Sequence, residues 1–276
     1  MGRTGLWSTM GAAATAAALA VLVGAEARAG AWPMPEGHVQ SISSVSYDAA
    51  ERVFGPAGLD DGAPLDFSKV EASVFVEWGV SDRLTLVFQP VAQSVTIETD
   101  DGGVESQSGA ASSQIGARWL LAEGRPGVFS AQASLVAPGE VENVIDAPLG
   151  EGGLAAEARL LAGRGWSGGF LEAQAGYRWR GGEYADELRL DASVGLRPTE
   201  NWQVIAQSFS TIAAEEIRPD REVESHKAQL SVVRNLTDVW AIQVGARGSY
   251  AGRNTVDERG VFVSMWLRRQ PGRYLP

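Results

Sequence analysis

Gly168 to Phe209 reads GGFLEAQAGYRWRGGEYADELRLDASVGLRPTENWQVIAQSF, and this stretch decides the fold class. Every second residue of its first run is apolar: Leu171, Ala173, Ala175, Tyr177 and Trp179. Glu172, Gln174, Gly176 and Arg178 lie between them. After a polar, glycine-containing break the alternation resumes with Leu188, Leu190, Ala192, Val194 and Leu196. Here Glu187, Arg189, Asp191, Ser193 and Arg197 take the other register. A period of two sustained this long is strand, not helix. Each run has about ten residues, roughly twice a soluble strand and enough for a tilted strand to cross a bilayer. One face is apolar and the other carries charges of both signs. The pattern predicts lipid on one side and a polar lumen on the other.

The same alternation recurs on both sides of this stretch. Val39 to Tyr47 is a weak, serine-rich first strand. Ser68 to Val80 sets Val70, Ala72, Val74, Val76 and Trp78 against Lys69, Glu71, Ser73 and Glu77. Leu84 to Val95 follows with less decided polarity, then Ser113 to Leu121 with Arg118 on its polar face. Val128 to Ala137 and Leu154 to Ala162 come next, the latter with Glu157 and Arg159 opposite Leu154, Ala156, Ala158 and Leu160. Beyond the hairpin lie Trp202 to Ile212, Lys227 to Val233, Trp240 to Tyr250 and Val261 to Leu267. The total is about twelve (ten or fourteen being the alternatives). The expected fold is therefore all-β, a transmembrane antiparallel up-and-down β-barrel.

Connections alternate short and long. Val80-Ser81-Asp82-Arg83-Leu84, Pro198-Thr199-Glu200-Asn201-Trp202 and Leu236-Thr237-Asp238-Val239-Trp240 share a hydroxyl followed by an acid, which suits a tight reversal. The intervening segments are longer and acidic. Together they hold more net negative charge than the −11 of the whole chain. Short periplasmic turns and long extracellular loops are the outer-membrane arrangement. Trp78, Trp119, Trp166, Trp202, Trp240 and Trp266 fall near a short turn or the C-terminal end, the placement of an interfacial girdle.

The chain's start agrees with export. Arg3 precedes the apolar run Gly11 to Val23, and Ala27-Arg28-Ala29 offers a small-x-small cleavage site. Residues 1–29 are expected to be a cleaved signal peptide and 30–276 a single barrel domain. There are no cysteines, so disulfides and thiolate metal sites are excluded. No cofactor is expected, the charge disfavours nucleic acid, and no phosphate loop follows a strand into a helix.

GYRWRGGEYADELRLDASVGLRPT, with AQSFSTI and SHKAQLSVV downstream, resembles a family of proteobacterial outer-membrane transporter-like proteins of the phenol-degradation meta-pathway type. EARLLAGRGW and Val80 to Gln93 upstream extend the likeness, which runs from about Trp32 to Trp266. The resemblance implies a porin-like barrel in a Gram-negative outer membrane, passing small, aromatic or hydrophobic compounds. The implied partners are outer-membrane lipid, lipopolysaccharide, the barrel-insertion machinery and a small-molecule solute. It carries over no active site. The tail RRQPGRYLP after Trp266-Leu267 departs from the aromatic C-terminal residue usual in such chains.

Two sets of residues could carry function. The lumen set is Lys69, Glu71, Glu77, Arg118, Glu157, Arg159, Glu172, Arg178, Glu187, Arg189, Asp191 and Arg197. Inside a low-dielectric wall these charges must pair or sit in water. They make either an aqueous pore or an ion-pair network filling the barrel. Across the hairpin, Arg178 has Glu187 and Asp191 as candidate partners. The second set is Ser210 and His226, with Ser208 and Glu224, all expected to face outward near the extracellular rim. A serine, a histidine and an acid there would suit a phospholipase or deacylase. The plainer reading is a rim histidine bonded to hydroxyls and headgroups, with no enzyme. Trp78, Trp119, Trp202 and Trp240 are the lipid-interface residues. His38 has no partner legible in the sequence. Asp60, Asp61, Asp100, Asp101, Glu215 and Glu216 could hold a divalent cation, although a solvated acidic surface explains them more simply.

Overall fold

The structure is a computed structural model that describes residues 30–58, 64–98, 103–125, 127–139, 153–180, 185–214 and 223–270. The expected signal peptide and the six loop acids Asp60, Asp61, Asp100, Asp101, Glu215 and Glu216 lie outside them.

Twelve long strands are joined by a two-residue one: β1 (Val39–Phe54), β2 (Pro64–Ser81), β3 (Leu84–Glu98), β4 (Val104–Glu123), β5 (Val128–Ala137), β6 (Ala155–Trp166), β7 (Gly169–Trp179), β8 (Glu187–Thr199), β9 (Trp202–Ala213), β10 (Glu224–Asn235), β11 (Trp240–Arg253), β12 (Thr255–Val256) and β13 (Arg259–Arg269). All pairings are antiparallel between sequence neighbours, except that β12 lies beside β1 and β11 pairs with β13. The seam closes because β1 pairs with β13 on one side and β2 on the other. Closure removes both sheet edges, so every strand's backbone groups are satisfied without water.

The outward face explains where the molecule resides. Leu160, Leu171, Leu230, Ile115 and Val263 are all exposed. A band of this kind has no counterpart on a water-soluble monomer and suits hydrocarbon. No helix among the described residues is long and apolar enough to cross a membrane.

Several strands extend further toward the long-loop end than the alternation alone marks. The clearest case is β4, which begins at Val104 instead of Ser113. Opposite Pro90 its register shifts between Gln89 and Val91, with the extra residue on β4. Gln114, Gly116 and Arg118 face inward on one side of this bulge, Ala111 and Gly109 on the other. A bulge reverses parity, so the period-two signal dies at Ser112-Ser113 although the strand goes on. Proline has no N–H to give the ladder, and the next amide, Val91 N–H, donates to Ser113 Oγ at 3.0 Å.

Two of the short turns fold as their hydroxyls predict. Ser81 Oγ accepts from the amides of Arg83 (3.3 Å) and Leu84 (3.2 Å). Thr237 Oγ1 accepts from Val239 (3.2 Å) and Trp240 (3.0 Å).

Candidate functional site

Among the described residues, two chambers lie in the interior. The one toward the long loops, about 310 Å³, is bordered by Lys69, Glu71, Glu187, Arg189, Lys227 and Glu258. The other, about 690 Å³, runs from mid-barrel to the short-turn end. Glu71 borders both.

Paired charges occupy the level between them. On the β6–β8 wall the register sets Glu157, Arg178 and Glu187 side by side in one row. Arg178 donates from Nε (2.8 Å) and Nη2 (2.7 Å) to Glu157 Oε2. Arg159 bridges Glu157 and Asp191. Glu187 accepts from Arg180 Nη1 at 2.8 Å and Arg189 Nη2 at 2.7 Å. One of the two expected partners of Arg178 therefore needs correction. Glu187 is its register neighbour, but Asp191 lies further from the loop end and is bound by Arg159. Across the barrel, Arg247 Nε donates to Asp48 Oδ1 at 2.7 Å, and Glu258 receives both Lys69 (3.2 Å) and Lys227. Burial alone would raise the Glu258 carboxyl, but the two ammonium groups hold it well below the usual carboxylate range.

Nearer the short turns the lining becomes amides and hydroxyls. Gln114 donates to Gln89 (2.9 Å), Gln229 to Gln207 (2.8 Å) and Gln243 to Ser231 (2.9 Å). Phe75, Phe170, Phe209 and Phe262 share that chamber, as do Arg197 and Arg268. Arg197 Nη2 is buried without a hydrogen-bond partner. Glu77 meets Arg118 at 2.6 Å. All twelve charged residues of the sequence-derived set thus sit on the inward face. Asp48, Arg180, Arg247 and Glu258 join them. Asp48 and Arg247 lie at alternating positions and were open to the same argument, whereas Glu258 follows a strand break that hides its direction.

The short-turn mouth is crossed by residues 30–38, which periodicity does not reveal because they form no strand. Ala31 is fully buried. Its carbonyl accepts from Ser130 Oγ at 2.7 Å, and the Glu172 carboxylate receives its N–H. Met34 N–H donates to Thr85 Oγ1 at 2.7 Å, and Gly37 N–H to the Gly79 carbonyl at 2.8 Å. Trp32 packs between two buried clusters, one around Phe170 and Ile205 and one around Val128 and Leu161. Two glycines make room. A Cβ on Gly163 would lie 2.6 Å from the Trp32 ring, and one on Gly79 would lie 2.0 Å from the Pro35 carbonyl oxygen. His38, without a legible partner in the sequence, lies here with Nδ1 3.2 Å from the Glu36 carbonyl.

Trp78, Trp119 and Trp202 are exposed on the outer wall near the short turns, and Trp240 shares the outward register. The Arg234 guanidinium lies 5.2 Å from the Trp202 ring centroid. Trp266 is the exception. It points inward, packs against the Phe170 cluster and donates from Nε1 to Gln243 Oε1 at 2.9 Å. Met265 and Leu267 take the outward positions of β13, so parity overrides nearness to the chain end.

On the outer wall, at the long-loop end of β9 and β10, His226 stands directly opposite Ser210. Its Nδ1 is 2.9 Å from Ser210 Oγ and its Nε2 is 2.9 Å from Glu224 Oε1. Ser208 Oγ lies 3.3 Å from the Tyr250 hydroxyl.

No protein-family model matches the chain, and no curated protein matches it. Solved structures do. A crystal structure of the COG4313 outer membrane channel from Pseudomonas putida F1 superimposes with a TM-score of 0.71 at 13% identity, covering 88% of this chain and all of that one. The KdgM porin in complex with disordered oligogalacturonate gives 0.51 at 6% identity over 82% of this chain and 99% of that one. The NanC porin gives 0.52 at 6% identity over 81% and 98%. At these identities the likeness establishes the fold: a closed antiparallel barrel of the kind those channels share.

Proposed function

We propose that this protein is a passive outer-membrane channel for small solutes. The observation that carries it is a closed barrel, apolar outside, enclosing two polar chambers bordered by paired charges. A barrel made only for rigidity gains nothing from a 690 Å³ hollow, since filled interiors are the stable alternative. The fold shared with a COG4313 channel and two porins supports the same reading. On it, the short turns face the periplasm, the long loops face outward, and lipopolysaccharide surrounds the outer rim.

The lining narrows the solute class. Four phenylalanines offer ring faces, the glutamines and serines offer hydrogen bonds, and Arg197 and Arg268 offer positive charge in the same chamber. A small aromatic ring bearing a carboxylate or hydroxyl uses all three. This agrees with the meta-pathway resemblance, which we carry forward as part of the proposal. Liposome swelling with benzoate, phenol and an uncharged sugar of similar size tests it. Faster entry of the aromatic solutes is expected, with Arg197→Gln slowing benzoate and sparing phenol. No swelling with any solute, together with silent planar bilayers, would exclude a channel.

A further inference from the structure

The channel reading leaves the outer-wall cluster unused. Its chemistry is distinct from anything in the lumen. Ser210 and His226 form a cross-strand pair whose side chains point away from the barrel, between Leu190 of β8 and the β10–β11 seam. With the imidazole proton on Nε2, the Ser210 hydroxyl donates to Nδ1 and the Nε2–H donates to Glu224. A nucleophile, a base and an acid that orients the base are thus linked in series at 2.9 Å each. His226 and Glu224 are both partly exposed, so the cluster is open to the surrounding lipid.

Two further features suit a reaction on lipid. The β10–β11 register shifts between His226 and Lys227, leaving Tyr250 as the extra residue. Bulges of this kind re-aim side chains and recur beside active sites. Tyr250 here sits with its ring 5.8 Å from the His226 ring and its hydroxyl at Ser208, two residues along the outward face from Ser210. Next to the cluster, toward the middle of the membrane span, the outer wall carries a groove of about 510 Å³. Ala228, Ala246 and Gly248 floor it, and Tyr47 and Val261 flank it. Small residues in a row hollow out the lipid-facing wall here. Ala228 is two positions from His226, so a chain lying in the groove brings its ester to the serine.

We infer that Ser210, His226 and Glu224 form an acyl-ester hydrolase site for membrane lipid at the outer-leaflet rim. In the first step Ser210 Oγ bonds to the ester carbonyl carbon and its proton passes to His226 Nδ1. The carbon–oxygen bond to the alcohol then breaks, and Nδ1 returns the proton to the leaving alkoxide. Water attacks the acyl-serine, giving its proton to Nδ1. Collapse releases the fatty acid and restores the serine. Glu224 is the positioning residue: it fixes the ring and stabilises the imidazolium formed in each step. The Tyr250 hydroxyl, held at Ser208 on the same face, is a neutral donor available to the carbonyl oxygen. The guanidinium of Arg253, 3.8 Å from Glu224, adds positive charge to the site.

The test uses the full mature protein refolded in detergent, mixed with glycerophospholipid micelles in one arm and purified lipopolysaccharide in the other. Released fatty acid is measured. Heat-dependent gel mobility reports an intact barrel for every variant. Release in one arm or both is expected, identifying the lipid, with a fall of at least about 1,000-fold in Ser210→Ala and His226→Ala. Glu224→Gln should lower kcat at unchanged KM. A fluorophosphonate probe should label wild type and leave Ser210→Ala unlabelled. No release from either lipid together with no labelling overturns the site, as does release by Ser210→Ala at the wild-type rate. The channel reading is untouched by either result, because the cluster faces away from the lumen.

Discussion

Arg178 stands in a row between Glu157 and Glu187, its guanidinium bonded to the first. Reversal to Glu puts three carboxylates side by side. Breaking one partner of a buried pair costs about 3–5 kcal/mol, so Arg178→Glu should unfold at clearly lower denaturant than wild type. In a conducting barrel the same change should shift ion selectivity toward cations, since a confined wall charge acts on the whole narrow aqueous path. Planar-bilayer reversal potentials under a salt gradient measure this; an unchanged potential would place Arg178 off the path. Glu258 gives the matching pH prediction. Its carboxyl is held low by Lys227 and Lys69, so its contribution is complete above the unfolded value near 4.3. That contribution drains away as pH falls from there toward the depressed folded value. Glu258→Gln should be less stable than wild type at pH 7, and the gap should narrow below about pH 4. A gap independent of pH would mean the pairs with Lys69 and Lys227 do not form.

Among the elements, the strands were legible and the segment between them and the chain start was not. Alternation placed β5 at Val128–Ala137 without error, because nothing interrupts its parity. It lost half of β4, where the bulge opposite Pro90 reverses the faces. It misplaced Trp266, since the girdle argument counted distance from the chain end and ignored that Met265 and Leu267 hold the outward register. The lumen charges could be read because each lay between two apolar neighbours. Their partners could not, because pairing depends on register and on which rotamer a long side chain takes. Residues 30–38 carry no periodicity at all; their place is fixed by hydrogen bonds to Thr85, Ser130 and Gly79, each distant in sequence. Removing residues 30–36 should therefore raise single-channel conductance while leaving the barrel's gel mobility intact. Gly163→Leu should do part of the same by displacing the Trp32 ring. Equal conductance in all three proteins would show that this mouth does not limit flow.

At the scale of the whole molecule the two ends differ: short turns and girdle tryptophans at one, long acidic connections at the other. The chain has no cysteine of its own, so single cysteines can report orientation. Ala57→Cys, beyond β1 at the long-loop end, should react with a membrane-impermeant maleimide on intact cells. Asp238→Cys, in a short turn, should react only after the outer membrane is opened. The opposite result inverts the molecule. The segment across the mouth is tethered at Val39, where β1 begins, so when it leaves it can swing only out of that same mouth. Flow arriving from the long-loop side pushes it toward its exit, whereas flow from the short-turn side presses it back into its seat. A segment that yields in this way should make the barrel a check valve, easier to traverse inward than outward. It should pass unequal currents at opposite voltages, an asymmetry that disappears with residues 30–36.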